Sequence, residues 1–136
     1  MITIMNTGKL QRKWSVQRPQ DYDKENGVVC FDIVAEYKEE NGEQVEGFSY
    51  YEVYMDTLPD YGNLKSQLIE TGFAPKDEFG LLMNAVNAVI GAAAASTSWA
   101  TFKSALAESE DVQKFNSFQE FRELCAAAAR TVMANY

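Results

Sequence analysis

The chain has 136 residues, 46% apolar and 24% charged, a balance that supports one globular core and excludes a disordered or fibrous polymer. Its net charge of −8 opposes general nucleic-acid binding, which needs a positive field. It contains no histidine, which excludes Ser-His-Asp and Cys-His catalysis and removes the commonest zinc ligand.

The opening "MITIM" is a candidate extra strand. It shows no basic start followed by a long apolar run, so no secretory leader is expected. Residues 1–20 carry Lys9, Arg12, Lys13 and Arg18 and no acid, whereas residues 21–60 carry twelve acids against Lys24 and Lys38. Neighbouring strands of opposite sign would follow from that contrast. "KLQRKWSVQ" alternates, with Leu10, Trp14 and Val16 on one side, as a strand does.

"DYDKENGVVCFD" invites comparison with a calcium loop, because Asp21, Asp23, Glu25 and Asp32 fall at ligand positions one, three, five and twelve. Gly27 is one place late, the last ligand is not Glu, and no helix flanks the segment. An acidic loop turning through Asn26-Gly27 accounts for it without a metal, and none is expected.

"GVVCFDIVAEY" alternates clearly, and Asn41-Gly42 supplies the positive φ angles of a two-residue hairpin turn into "VEGFSYYEVYM". That turn sets Glu40 against Glu43, Ala35 against Phe48, Ile33 against Tyr50 and Val29 against Tyr54. One face becomes Val29, Phe31, Ile33, Ala35, Phe48, Tyr50 and Tyr54, with Glu52 opposite Phe31 among them. A lone buried carboxylate is costly. Glu52 therefore lies at the rim, or meets an N-terminal Arg or Lys, or a bulge shifts the register and turns Tyr51 and Val53 inward. The acids Glu36, Glu39, Glu40, Glu43 and Glu46 read as charges that keep the hairpin from pairing edge to edge.

Pro59 ends the strand, and Asp60 caps a helix bearing Leu64, Leu68 and Ile69 that stops at Gly72. Pro75 opens a second helix with Asp77 and Glu78 near its positive end and Phe79, Leu82, Val86, Val89 and Ile90 on one side. Its most apolar window, Leu81 to Ala95, is shorter than the ~20 residues of a membrane span, and Asn84 and Asn87 interrupt it. "STS" caps a third helix with Trp99, Phe102 and Leu106. "ESEDVQK" reads as a turn or a frayed end between two helices. Ser117 and Glu120 match a capping box ahead of Phe118, Phe121, Leu124, Cys125, Ala128 and Val132. The runs Ala92–Ala95 and Ala126–Ala129 mark close helix contacts, within the chain or between copies. Cys30 and Cys125 lie in apolar patterns and read as buried free thiols.

The fold expected is α+β over residues 1–136. An N-terminal antiparallel sheet of three or four strands (1–57) precedes three or four helices (58–136) packed on one face. Candidate ligand-binding residues are Tyr50, Tyr51, Glu52 and Tyr54, and candidate interface residues are Val34, Tyr51, Val53, Ala93 and Ala127.

The segment "GFSYYEVYMDTLPDYGNLKSQLIETGF", with Tyr51-Glu52-Val53, Pro59, Tyr61 and the helix of Leu64, Leu68 and Ile69, continues into "APKDEFGLLMNAV". It resembles small prophage-encoded, tail- or virion-associated proteins of gut bacteria. The resemblance implies a non-enzymatic assembly or interaction protein, cytoplasmic or virion-associated. The expected function is non-catalytic and structural, through a protein partner or a homo-oligomer, with no cofactor, nucleic acid or membrane. A small-molecule or carbohydrate-binding module built on the aromatic strand is the alternative, and an acidic DNA mimic a weaker one.

Overall fold

The computed structural model describes residues 10–55 and 57–136, so "MITIM" lies outside the described residues. Among them the chain forms an α+β fold of four strands followed by four helices: β1 (Gln11–Ser15), β2 (Tyr22–Asp23), β3 (Val28–Glu40), β4 (Glu43–Tyr54), α1 (Tyr61–Gly72), α2 (Pro75–Ala95), α3 (Trp99–Glu108) and α4 (Glu110–Asn135). The strands make one antiparallel sheet in the order β1-β4-β3-β2. The basic strand β1 therefore lies beside β4, and the fourth strand comes from Tyr22–Asp23.

The hairpin forms where the Asn-Gly pair places it, with Asn41 at φ 53° and Gly42 at φ 81°. Glu40 faces Glu43 and Ala35 faces Phe48, as the turn dictates. Between Val34 and Phe31 the register shifts, so that Phe31 faces Tyr51, Cys30 faces Glu52, Val29 faces Val53 and Val28 faces Tyr54. The pairings Ile33–Tyr50, Phe31–Glu52 and Val29–Tyr54 expected from the turn alone do not form. The cause is a bulge at Asp32, which sits in the left-handed region at φ 52°.

The bulge has an identifiable anchor. Arg12 of β1 donates from Nη1 to Asp32 Oδ2 at 3.1 Å and from Nε to Ser49 Oγ at 2.6 Å. Its guanidinium lies 4.4 Å from the centre of the Tyr51 ring. One planar side chain thus holds the bulged residue, the buried Ser49 hydroxyl and the inward-turned tyrosine.

With the extra residue, Val29, Phe31, Tyr51 and Val53 face the helices, while Val28, Cys30 and Tyr50 form a smaller cluster with Ile33. The main core sets those inward residues, with Leu10, Tyr22 and Met55, against Leu64, Leu68, Ile69 and Phe73 and against the inner stripe of α4. Phe121 is its centre, with ring centroids 6.2 Å from Phe31, 6.3 Å from Tyr51 and 5.6 Å from Phe73. A Cβ on Gly72 would run into the Phe121 ring, so α1 ends in close contact with α4 through a residue that has no side chain.

The caps follow local chemistry. Asp60 Oδ1 accepts from Asn63 N at 2.9 Å, and Ser98 Oγ accepts from Thr101 N at 3.2 Å. α4 begins earlier than the Ser117 capping box suggests. Ser109 Oγ accepts from Val112 N at 3.3 Å, Glu110 and Asp111 occupy the positive end, and Lys114 pairs with Glu110 at 3.2 Å. The stretch 108–114, expected to be a turn or a frayed end between two helices, holds the break at Ser109, and from Glu110 onward it is the first turn of α4. In that helix Ala126, Ala128 and Ala129 are buried, as a close contact requires.

α2 departs furthest from expectation. It runs for 21 residues and is long and apolar enough, by length and composition, to cross a membrane. Among its described residues Ala85 alone is buried. The stripe of Phe79, Leu82, Val86, Val89 and Ile90 faces outward.

Replacing Asp32 tests the bulge. Asp32→Val is expected to lower unfolding stability by about 1–2 kcal/mol more than Asp32→Gly, because a β-branched residue resists the left-handed conformation that glycine accepts. Urea unfolding of both variants reads the difference. Equal midpoints and slopes would remove the bulge as a source of strain.

Candidate interaction surface

The largest anomaly in the surface is the arm made by α2 and α3. Residues 79–102 contain no Asp, Glu, Lys or Arg. Phe79 is 68% exposed, Ile90 61% and Trp99 70%, and Leu82, Met83, Val86 and Val89 are exposed as well. Trp99 has the nearby Phe102 ring as company, at a centroid distance of 5.6 Å. Scattered exposed apolar residues are ordinary; a continuous uncharged face of this kind is not.

The arm is rooted in the core. Leu81 packs against the main cluster, and Phe79 and Leu82 line an open groove of about 610 Å³ shared by α1, α2 and α4. The groove also holds Tyr61, Lys65, Glu70, Glu78 and Arg122. Burial pushes the Glu78 carboxyl above its usual range, Arg122 pulls it back, and Glu70 adds to the rise. Arg122 itself lies over the Phe118 ring at 5.7 Å.

The residues singled out on β4 separate onto two faces. Tyr51 turns toward the helices against Phe31, at a centroid distance of 5.4 Å. Tyr50, Glu52 and Tyr54 share an open basin of about 640 Å³ on the other face, with Arg18, Asp23 and Cys30. Tyr50 is buried there and Tyr54 is 69% exposed. Glu52 opposite Cys30 therefore lies on the outer side of the sheet, and the bulge removes the lone carboxylate from the core. Asp23, the middle of the calcium-like pattern, is engaged in its own turn: its carboxylate accepts from Glu25 N, Asn26 N and Asn26 Nδ2. Those bonds hold its carboxyl below the usual range, with the Asn26 side chain the largest cause.

Of the proposed interface residues, Val34 and Ala93 are exposed, and exposed Ala127 lines a recess between β3 and α4. Val53 is 4% exposed inside the main core, so the register shift withdraws it from any partner, and Tyr51 is half-buried beside it. The α2 stripe was visible in the sequence as an apolar face. Its availability was signalled by the missing charges between Glu78 and Lys103.

Neither thiol is suited to nucleophilic work. Burial raises the Cys30 thiol from 9.0 to about 11, with Glu52, Asp23 and Asp21 adding negative charge nearby, and burial pushes Cys125 up further still. Both thiols are free and buried.

Thiol titration at pH 8 is expected to find neither cysteine reactive in the folded chain and both reactive in denaturant. Because the folded Cys30 thiol keeps its proton to higher pH than the unfolded one, its share of stability is intact below pH 9.0 and is lost as the pH rises through about 11. Rapid native labelling of either cysteine would contradict this. Comparison with known proteins returned no matching family model, no similar curated protein and no similar solved structure.

Proposed function

We propose that this chain is a non-catalytic interaction protein whose docking surface is the outer face of α2 and α3. The observation that carries the reading is the uncharged stretch 79–102 with its exposed apolar face, anchored to a well-packed core by Leu81. An apolar helical face bound to a complementary groove or helix gains area without needing charge pairs. The sequence has no histidine, and the thiol in the outer basin is held in its neutral form, both of which favour binding over catalysis. A phage-derived assembly role belongs to the same proposal and rests on the resemblance of the segment from Gly47 onward.

The test places charge on the arm. Leu82 and Ile90 are exposed, so Leu82→Lys with Ile90→Lys is expected to change unfolding stability by no more than about 0.5 kcal/mol per site. The same pair is expected to abolish cross-linked complexes formed by the native chain, both in concentrated solution and in extract of its source cell. Complexes that survive the double substitution, or none from the native chain in either setting, would overturn the reading.

A second reading is favoured by one arrangement. Tyr54, Glu52 and Arg18 surround an open basin with an exposed aromatic ring, two opposite charges and the amide side chains of Gln17, Gln20 and Asn26. Such a set suits a sugar or another small polar ligand, since a ring face and bidentate polar groups recognise hydroxyl-rich molecules. Calorimetry against a panel of sugars is expected to show binding that Tyr54→Ala weakens by about tenfold, equivalent to ~1.4 kcal/mol. Binding unaffected by Tyr54→Ala, or no binding across the panel, would remove this alternative.

A further inference from the structure

Resting on the interaction reading above, we propose that the α2 face is closed by a second copy of the same chain, with the two α2 helices antiparallel about a twofold axis near Val86.

The spacing of the exposed residues is that of a helix-pairing seam. Phe79, Leu82, Val86, Val89 and Ala93 advance by alternate steps of three and four, and Met83 and Ile90 widen the face. A contact between identical surfaces must be self-complementary. Antiparallel pairing about Val86 sets Phe79 against the partner's Ala93, Leu82 against the partner's Ile90, and Met83 against the partner's Val89. Large side chains then meet smaller ones at the ends, as close packing requires. Parallel pairing would set Phe79 on Phe79 and Ala93 on Ala93, overfilled at one end and empty at the other.

Charge selects the same arrangement. Lys76 lies seven residues before Met83, on the same side of the helix, and antiparallel pairing brings it opposite the partner's Ser96. There the last turn of α2 presents the negative end of its dipole, with Ser96 Oγ donating to Ala92 O at 2.6 Å. The first-turn acids Asp77 and Glu78 of the two copies are then held apart, whereas parallel helices would bring all four together and align both dipoles. Two chains that each carry −8 meet across a surface that carries no charge. Between Phe79 and Phe102 a charged partner finds nothing to pair with. A lipid surface is disfavoured because the amides of Asn84 and Asn87, in the middle of the helix, would have to leave water.

Sedimentation of the full chain is expected to give a species of twice 15.3 kDa that dissociates on dilution. Val86→Asp, which puts two like charges on the axis, is expected to weaken association about 100-fold or more while leaving the helix content of the dilute, dissociated chain unchanged. A mixture of Phe79→Cys and Ala93→Cys chains is expected to form a mixed disulfide under mild oxidation, and Phe79→Cys alone none. Self-linking of Phe79→Cys alone would overturn the antiparallel geometry. A native chain that stays single at its highest soluble concentration would overturn pairing itself. If that single chain is nonetheless captured in source-cell extract through the Leu82 and Ile90 face, the docking reading stands and only self-pairing falls. If it instead binds phosphatidylcholine vesicles through that face, the surface is a lipid contact and the proposal falls.

Discussion

One contact sets the orientation of the whole sheet: the Arg12 guanidinium on the bulged Asp32. Without the extra residue in β3, side chains would keep the parity laid down at the hairpin turn, and Glu52 would point toward the helices with Phe31. With it, Phe31, Tyr51 and Val53 form the floor on which Phe121 rests, and Glu52 faces the other way. The pair is partly exposed, so its electrostatic worth alone is modest. Its leverage is geometric. The same guanidinium donates to buried Ser49 and lies over Tyr51, so a neutral side chain at residue 12 would leave a hydroxyl without its donor and a ring without its neighbour.

Around that floor α4 acts as the spine. Its inner stripe from Phe118 to Val132 is taken up by the sheet and by α1, and small residues allow this: Gly72 where α1 meets Phe121, and Ala128 and Ala129 further along. What remains for α2 is the first part of α4, where Leu81 and Phe115 pack against the main core. That contact satisfies one side of α2 and leaves the broader apolar side free. The arm is thus mounted on the core and incompletely covered.

The distribution of charge gives the molecule distinct regions. The ribbon beyond the bulge carries Glu36, Glu39, Glu40, Glu43 and Glu46 in solvent, with Trp14 donating to Glu36 O at 3.0 Å and Lys38 lying 5.2 Å from the Trp14 ring. A Cβ on Gly47 would collide with that Trp14 ring, so β1 clasps the ribbon closely. Acids on an exposed hairpin discourage strand addition. The α2–α3 arm has no such guard. The chain thus carries its acids on one exposed element and leaves another uncharged.

The sequence by itself determined every feature whose cause is local. These include the Asn41-Gly42 turn, the caps at Asp60 and Ser98, the opening of α2 at Pro75, the α+β division and the burial of both cysteines. Each follows from backbone preference or from apolar spacing within a few residues. The tertiary structure alone decided the parity of β3, because the bulged residue meets Arg12, twenty positions away, and Val29 and Phe31 ahead of it pack under the helices. It also decided the start of α4, where Ser109 outcompetes Ser117 because Phe115 extends the stripe that packs on the core. And it decided the exposure of α2. Periodicity records which side chains gain by leaving water; it carries no information about which neighbour has room to cover them, and here α4 had already spent its face on the sheet.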